Sequence, residues 1–233
     1  MRLAVIPARG GSKRIPRKNI KTFCGKPMIA WSIAAARESG CFDHVIVSTD
    51  DAEIAEVASS YGAEVPFMRP SQLSDDYTGT IPVIAHAIDW MSQNVAPVEL
   101  ACCIYATAPF VSAEHLQRGL SMLLETGSDY AFSVTSYAFP IQRAIRIMPD
   151  SRVEMFSPEQ FNTRSQDLEE AWHDAGQFYW GRTAAWLAGK PIFSRDAVAV
   201  PLPRHRVQDI DTPEDWERAE LMFMALQARD GKA

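Results

Sequence analysis

Two groups of charged residues, far apart in the chain, have the types and spacing to do phosphate chemistry. The first runs Ala8-Arg9-Gly10-Gly11-Ser12-Lys13-Arg14-Ile15-Pro16-Arg17-Lys18-Asn19-Ile20-Lys21, with six basic residues among the thirteen from Arg9 to Lys21. Gly10 and Gly11 allow backbone N–H groups to approach an anion closely, and Ser12 adds a hydroxyl donor. The lysines and arginines would neutralise several negative charges together. The second group is Asp209-Ile210-Asp211. In extended backbone its period of two sets both carboxylates on one face and Ile210 on the other. Alone, such a motif ahead of Thr212-Pro213 could simply cap a helix. Opposite a phosphate-holding loop, the two carboxylates are the ligand set expected for Mg²⁺.

Charge distribution sharpens the first group. The chain carries a formal net charge of −6, yet its first acidic residue is Glu38. Residues 1–37 hold nine Lys and Arg, so that segment is +9 and the remainder −15. A concentrated basic segment in an acidic protein points to a specific anion site. A nucleic-acid binder would spread basic charge over a face and carry a high pI, so no nucleic-acid partner is expected. Six cations without counter-charges would repel one another, so an anion is expected among them.

The elements that must position these groups alternate. Leu3-Ala4-Val5-Ile6-Pro7 has the pattern of a buried parallel strand feeding the basic loop. Gly25–Ser39 is predicted as a helix, Val45–Ser48 as a strand, and Ala52–Tyr61 as a helix capped by Asp50 or Asp51 and ended by Gly62. A short strand over Glu64–Met68, a helix over Thr80–Met91 and a strand over Leu100–Tyr105 follow. Ala113–Glu125 then reads as a helix closed by Gly127, and Tyr130–Thr135 as a strand. The order predicts an α/β fold: an open, mostly parallel, doubly wound sheet with helices on both faces. Ligands of such sheets bind beyond the carboxyl ends of the strands, where the basic loop, Ser48-Thr49-Asp50 and Thr107-Ala108-Pro109 all fall. Residues 137–175 break the alternation and are expected to form an inserted lobe, an arm towards a partner subunit, or an ordered surface loop. Thr212-Pro213-Glu214-Asp215 is a helix start with a capping residue, a proline at the first position and an acid three residues on.

Length and composition fit a single domain over residues 1–233 with a subsidiary lobe. No apolar stretch reaches transmembrane length, and Arg9 and Gly10 interrupt any signal-peptide core, so a cytoplasmic protein without a membrane partner is expected. Cys24, Cys41, Cys102 and Cys103 form no Cys-x-x-Cys pair, which argues against zinc. The basic loop matches neither the Walker phosphate loop nor the dinucleotide fingerprint, and no Gly-x-Ser-x-Gly hydrolase setting is present.

With these residues in view, the chain resembles the cytidylyltransferases that make CMP-sialic acids. The likeness lies in Ile6-Pro7-Ala8-Arg9-Gly10-Gly11-Ser12-Lys13 with Pro16-Arg17-Lys18-Asn19. It recurs in Val47-Ser48-Thr49-Asp50, in Arg69-Pro70 to Thr80, in Gly176-Gln177-Phe178-Tyr179 and in Asp209-Ile210-Asp211-Thr212. Ile104-Tyr105-Ala106-Thr107-Ala108-Pro109-Phe110 and Asp174-Ala175-Gly176-Gln177-Phe178-Tyr179-Trp180 are most similar to the pseudaminic acid branch.

The resemblance implies that the anomeric hydroxyl of a nonulosonic acid attacks the α-phosphate of CTP, releasing pyrophosphate. It implies a nucleotide site of Ala8, Arg9, Gly10, Gly11, Ser12, Lys13, Lys18, Asn19, Arg69 and Thr80. Arg9, Ser12, Lys13 and Lys18 would hold the phosphates, and Asn19, Arg69 and Thr80 the cytidine. Arg9, Lys18 and Asp211 are the implied catalytic residues. Asp209 and Asp211 would bind Mg²⁺, with Asp211 helping to deprotonate the hydroxyl. It also implies a homodimer. For the sugar the pattern departs from neuraminic-acid enzymes, which carry Gln-Pro-Thr-Ser-Pro where this chain has Tyr105-Ala106-Thr107-Ala108-Pro109, and an Arg near His173-Asp174-Ala175-Gly176. Tyr105, Arg143, Arg164, His173, Asp174 and Gln177 are therefore the candidates for a changed sugar pocket, with Arg143 or Arg164 facing the sugar carboxylate. Pseudaminic acid is the expected substrate. N-acetylneuraminic and legionaminic acids are the alternatives, and Kdo fits less well. A non-catalytic nucleotide-binding regulator is the rival from another class, and the retained Asp209, Asp211 and basic loop argue against it.

Overall fold

In the computed structural model, which describes residues 1–231, the apolar run near the N-terminus becomes an interior strand of a six-stranded sheet. This strand, β1 (Arg2–Pro7), feeds the basic loop. The loop ends in a small hairpin, β2 (Thr22–Phe23) and β3 (Lys26–Pro27), followed by α1 (Met28–Glu38), β4 (His44–Ser48) and α2 (Ala52–Ser60). Next come α3 (Thr80–Asn94), β5 (Leu100–Ile104), α4 (Ala113–Thr126) and β6 (Tyr130–Ser136). An outlying hairpin, β7 (Ile145–Ile147) with β8 (Val153–Met155), precedes the long strand β9 (Trp172–Arg182). Then follow α5 (Thr183–Leu187), β10 (Ala197–Pro201) and α6 (Pro213–Arg229).

The sheet order is β10-β6-β9-β5-β1-β4. All neighbouring pairs are parallel except those of β9, which runs antiparallel to both β5 and β6. Side-chain alternation along β1 explains the two layers. Ala4 and Ile6 face a cluster that takes in Ile29 and Ile33 of α1, Ile54 of α2 and Leu116 of α4. Leu3 and Val5 face the opposite cluster, with Ile84 and Ile88 of α3 and Trp186 of α5. Cys102 and Cys103 divide between the two layers as small apolar fillers.

A third apolar cluster lies off the sheet. It joins Ile15 from the basic loop, Phe23 and Met28 beside the small hairpin, Phe110, Ile210, and Trp216 and Phe223 of α6. Phe23 packs edge-on against both Trp216 and Phe223, with ring centroids 5.4 Å apart in each case. Residues nearly two hundred positions apart are thus fixed to one another beneath the loop.

Three expectations need correction. The first helix begins at Met28, because Cys24 and Gly25 both take left-handed backbone (φ 45° and 87°) and turn the hairpin that precedes it. Glu64–Met68 makes only isolated bridges, Glu64 to Ile46 and Met68 to Thr49, and is not a strand. The interruption after β6 ends at residue 171, since β9 begins at Trp172. Strand β10 and helix α5 were also not expected. Within 137–171, β7 and β8 form a separate two-stranded sheet whose Ile147 and Val153 are exposed.

The start of α6 is as expected. Thr212 accepts the Asp215 N–H at 3.2 Å, and the Asp215 carboxylate accepts the Thr212 N–H at 2.8 Å, closing a capping box. The same carboxylate accepts the Asp211 N–H at 3.1 Å, so the cap also fixes the backbone of the Asp-x-Asp motif. Thr212→Ala is expected to lower unfolding free energy by about 1 kcal/mol, measured by urea denaturation.

Candidate active site

Strand order turns outward on either side of β1: the chain goes first to β4 and then to β5. The carboxyl ends of these three strands therefore open a crevice at a topological switch point. A cavity of about 460 Å³ occupies it. Pro7 and the basic loop form one wall, Arg69 and the 76–80 segment another, and Tyr105 to Thr107 the third. Of the nucleotide candidates, Arg9, Ser12, Lys13, Lys18, Asn19, Arg69 and Thr80 line it, whereas Ala8, Gly10 and Gly11 do not.

Ala8 and Gly10 have backbone roles. Ala8 donates its N–H to Ser48 O at 2.9 Å, tying the loop to the end of β4. Gly10 donates its N–H to Asp50 Oδ1 at 3.0 Å, and a Cβ added there would lie 2.7 Å from Asp51 Oδ2. Glycine at this position accommodates the close approach of Asp51. Asn19 donates to Arg9 O at 2.9 Å, and Ser12 donates its hydroxyl to Ile15 O at 2.7 Å.

The loop cations do not wait unpaired, contrary to the expectation that an anion must sit among them. Arg9 donates to Asp76 at 2.6 Å and to the Asp75 carbonyl at 2.9 Å, and Lys13 also bonds Asp76. Arg14 lies 2.8 Å from Asp211 Oδ1, while Lys18 donates to Ile210 O at 2.7 Å and lies 3.4 Å from the same Asp211 oxygen. Arg17, held at a left-handed φ of 56°, pairs with Asp51 and Glu53. Lys21 sits 4.4 Å over the Trp216 ring. The Arg17 bonds hold the Asp51 carboxyl at about 2, well below its ordinary value.

Arg69 differs from the other cations. Its side chain is only 4% exposed, and Asp50 Oδ1 is 3.8 Å from its Nη2. Its Nε and Nη2 have no hydrogen-bond partner among the described residues. Thr80 Oγ1 and the Tyr105 hydroxyl are 3.1 Å apart on the adjoining wall.

Ile210 is buried in the third cluster, while Asp209 is exposed and Asp211 half-buried; neither lines the cavity, and Asp211 is tied to its wall through Arg14 and Lys18. Protein packed around the Asp209 carboxyl, and then the charge of Asp211, raise its proton affinity. Two carboxylates in mutual repulsion beside a phosphate-sized crevice suit a hard divalent cation that takes its remaining ligands from phosphate and water. No cluster of three or more His, Cys, Asp or Glu able to hold a metal occurs among the described residues.

Of the six sugar candidates, Tyr105, Asp174 and Gln177 lie together: Tyr105 donates its N–H to Gln177 O at 2.9 Å, and its ring packs 5.3 Å from that of Tyr179, whose hydroxyl bonds Asp174. Tyr105 lines the cavity. Arg143 donates to Thr163 O at 2.5 Å and Arg164 pairs with Asp167 at 2.6 Å, both within the 137–171 segment. His173 packs on Tyr137, with ring centroids 4.7 Å apart. Asp174 accepts from the Tyr179 hydroxyl at 2.5 Å and from the Gly176 N–H at 2.9 Å. Gln177 is buried and donates to Arg206 O at 2.5 Å. Sequence reasoning missed Asp50 and Asp76. The signal was present in both: each is an acid within a segment already marked as part of the site.

This geometry defines a nucleotidyltransferase of Rossmann-like architecture. A solved structure of CMP:2-keto-3-deoxy-manno-octonic acid synthetase complexed with CTP shares the fold, with a TM-score of 0.70 at 17% identity, covering 97% of this chain and 99% of that one. The Cytidylyltransferase family profile matches residues 3–220, and the chain belongs to that family. It is 45% identical to the pseudaminic acid cytidylyltransferase of Campylobacter jejuni subsp. jejuni serotype O:2, over 95% of both chains. It is 33% identical to the CMP-N,N'-diacetyllegionaminic acid synthase of Legionella pneumophila, again over 95% of each.

Asp76 engages Arg9 Nη1 and the Lys13 ammonium, so a phosphate arriving at these cations would compete with it. Asp76→Asn is expected to tighten pyrophosphate binding roughly two- to tenfold in titration calorimetry without added metal.

Proposed function

We propose that this protein transfers the cytidylyl group of CTP to pseudaminic acid, giving CMP-pseudaminic acid and pyrophosphate. The observation that carries the chemistry is the convergence of Arg9, Lys13, Lys18 and the buried Arg69 on one switch-point crevice, with Asp211 joined to its wall through Arg14 and Lys18. The choice of sugar is supported by the 45% identity to the Campylobacter enzyme.

In this reading Arg9 and Lys13 exchange Asp76 for the outer phosphates and keep hold of the pyrophosphate as it leaves. Arg69 suits cytosine: a guanidinium only donates, and cytosine O2 and N3 both accept. Lys18, fixed by the Ile210 carbonyl, adds positive charge beside the phosphate under attack. Asp209 and Asp211 would hold Mg²⁺, which supplies further neutralisation of that phosphate. The sugar hydroxyl forms the new P–O bond as the bond to pyrophosphate breaks. Its proton passes towards Asp211. Tyr105, braced by Thr80, faces the sugar side of the cavity. Catalysis of this type comes from positioning and charge neutralisation more than from covalent chemistry.

The chain is read as one domain in which 137–171 is an arm towards a second copy, making a homodimer. Exposed Phe139, Ile147, Val153, Phe156 and Phe161 on that segment support the assembly. No described helix is long and apolar enough to cross a membrane. The four cysteines are free thiols, which suits a cytoplasmic setting.

Pyrophosphate release from CTP and Mg²⁺ should be highest with pseudaminic acid. Faster release with legionaminic or N-acetylneuraminic acid would reassign the sugar, and none with any nonulosonic acid would refute the activity. Asp211→Ala should cut turnover by about a hundredfold or more. Its urea unfolding midpoint should stay near that of the parent protein, and near-normal turnover would remove Asp211 from the reaction.

A further inference from the structure

We infer that Asp50 is a positioning residue for nucleotide choice: one carboxylate aligns both the phosphate loop, through Gly10, and the buried guanidinium of Arg69. The inference rests on the cytidylyl-transfer reading and deepens it.

Asp50 stands just past the carboxyl end of β4, where the backbone is already fixed on both sides. Ala8 donates to Ser48 O at 2.9 Å, and Arg69 donates its N–H to Thr49 O at 2.7 Å. From this point the Asp50 Oδ1 atom serves two groups. It accepts the Gly10 N–H at 3.0 Å and lies 3.8 Å from Arg69 Nη2. The neighbouring Asp51 cannot substitute, because its carboxylate is committed to Arg17 and to the Ile54 N–H that starts α2.

Arg69 needs such a counter-charge. Burial works against its protonated form and Arg9 adds like charge, while Asp50 acts in the opposite sense. Its Nε and Nη2 nevertheless keep donors without a hydrogen-bond partner, and Arg69 lines the cavity. A guanidinium balanced by a carboxylate and held by packing presents a fixed set of donors. Those donors match the two acceptors of cytosine and oppose the N3–H of uracil. Asp50 thus links the grip on the phosphates to discrimination at the base, although it does not line the cavity itself.

Two variants separate the links. In Asp50→Asn the amide oxygen can still accept from Gly10, but the charge facing Arg69 is lost. Asp50→Ala removes both. Titration calorimetry of CTP, UTP and pyrophosphate, without added metal, reads the result whichever sugar is used. For Asp50→Asn the CTP-over-UTP preference should fall roughly tenfold, with pyrophosphate affinity within about twofold of the parent protein. For Asp50→Ala the preference should fall similarly and pyrophosphate binding should also weaken. An Asn variant that keeps the parent preference would overturn the inference. So would an Asn variant that matches the Ala variant for all three ligands, which would indicate a merely structural role. A parent protein with no preference for CTP would overturn both this inference and the reading beneath it.

Discussion

The site depends on an apolar contact more than on any charge. Ile15, in the middle of the basic loop, and Ile210, between the two aspartates, are buried in one cluster with Phe23, Trp216 and Phe223. Burying such side chains contributes on the order of 2 kcal/mol each. Closing a loop of nearly two hundred residues costs little more than closing one of a hundred. The cluster thereby sets the cations of one chain segment against the carboxylates of the other. Lys18 completes the join by donating to the Ile210 carbonyl, whose side chain points into the cluster. Docking of α6 and the meeting of the basic loop with the Asp-x-Asp segment therefore share one set of apolar contacts.

A second constraint acts at the end of β4. Asp50 and Asp51 are adjacent, and extended backbone at Asp51 (φ −122°) sends their carboxylates to different partners. One meets Gly10 and Arg69, the other Arg17 and the first turn of α2. Burying a guanidinium with open donors is costly, so Arg69 persists only because strand, counter-charge and packing all fix it. A group held at such cost is ready to meet a ligand without reorganising.

Much of this was legible in the sequence because local rules and tertiary demands agreed. The capping box at Thr212 and Asp215, the left-handed Gly127 after α4 and the apolar run of β1 each follow from residue type and spacing. The charge asymmetry located the loop, and its family wording located Arg69 and the Asp-x-Asp motif. What stayed hidden depends on non-local pairing. β9 is not a simple alternation: Phe178, Tyr179 and Trp180 are all buried, as suits an interior strand covered on both faces. Its antiparallel direction cannot be read from composition. The partners of the loop cations were hidden for the same reason. Asp76 is 63 residues from Lys13, and Asp211 is 193 residues from Lys18. The sugar side was the least legible: Tyr105 alone of its six candidates lines the cavity, Asp174 and Gln177 stand behind it, and Arg143 and Arg164 are bonded within the 137–171 segment.

Internal pairing of the loop has a further consequence, for reach. Asp51, Glu53, Asp76 and Asp211 face five of its six cations at contact distance, which leaves the loop and these partners near +2 instead of +6. At physiological ionic strength the remaining field fades within about 8 Å. A passing RNA, which is drawn in by long-range charge and held by many spaced phosphates, gains little from such a surface. A small ligand that concentrates its phosphates at one point can enter the crevice and exchange directly with the carboxylates there. An acidic protein can thus carry a strongly basic segment with most of its charge answered at contact distance.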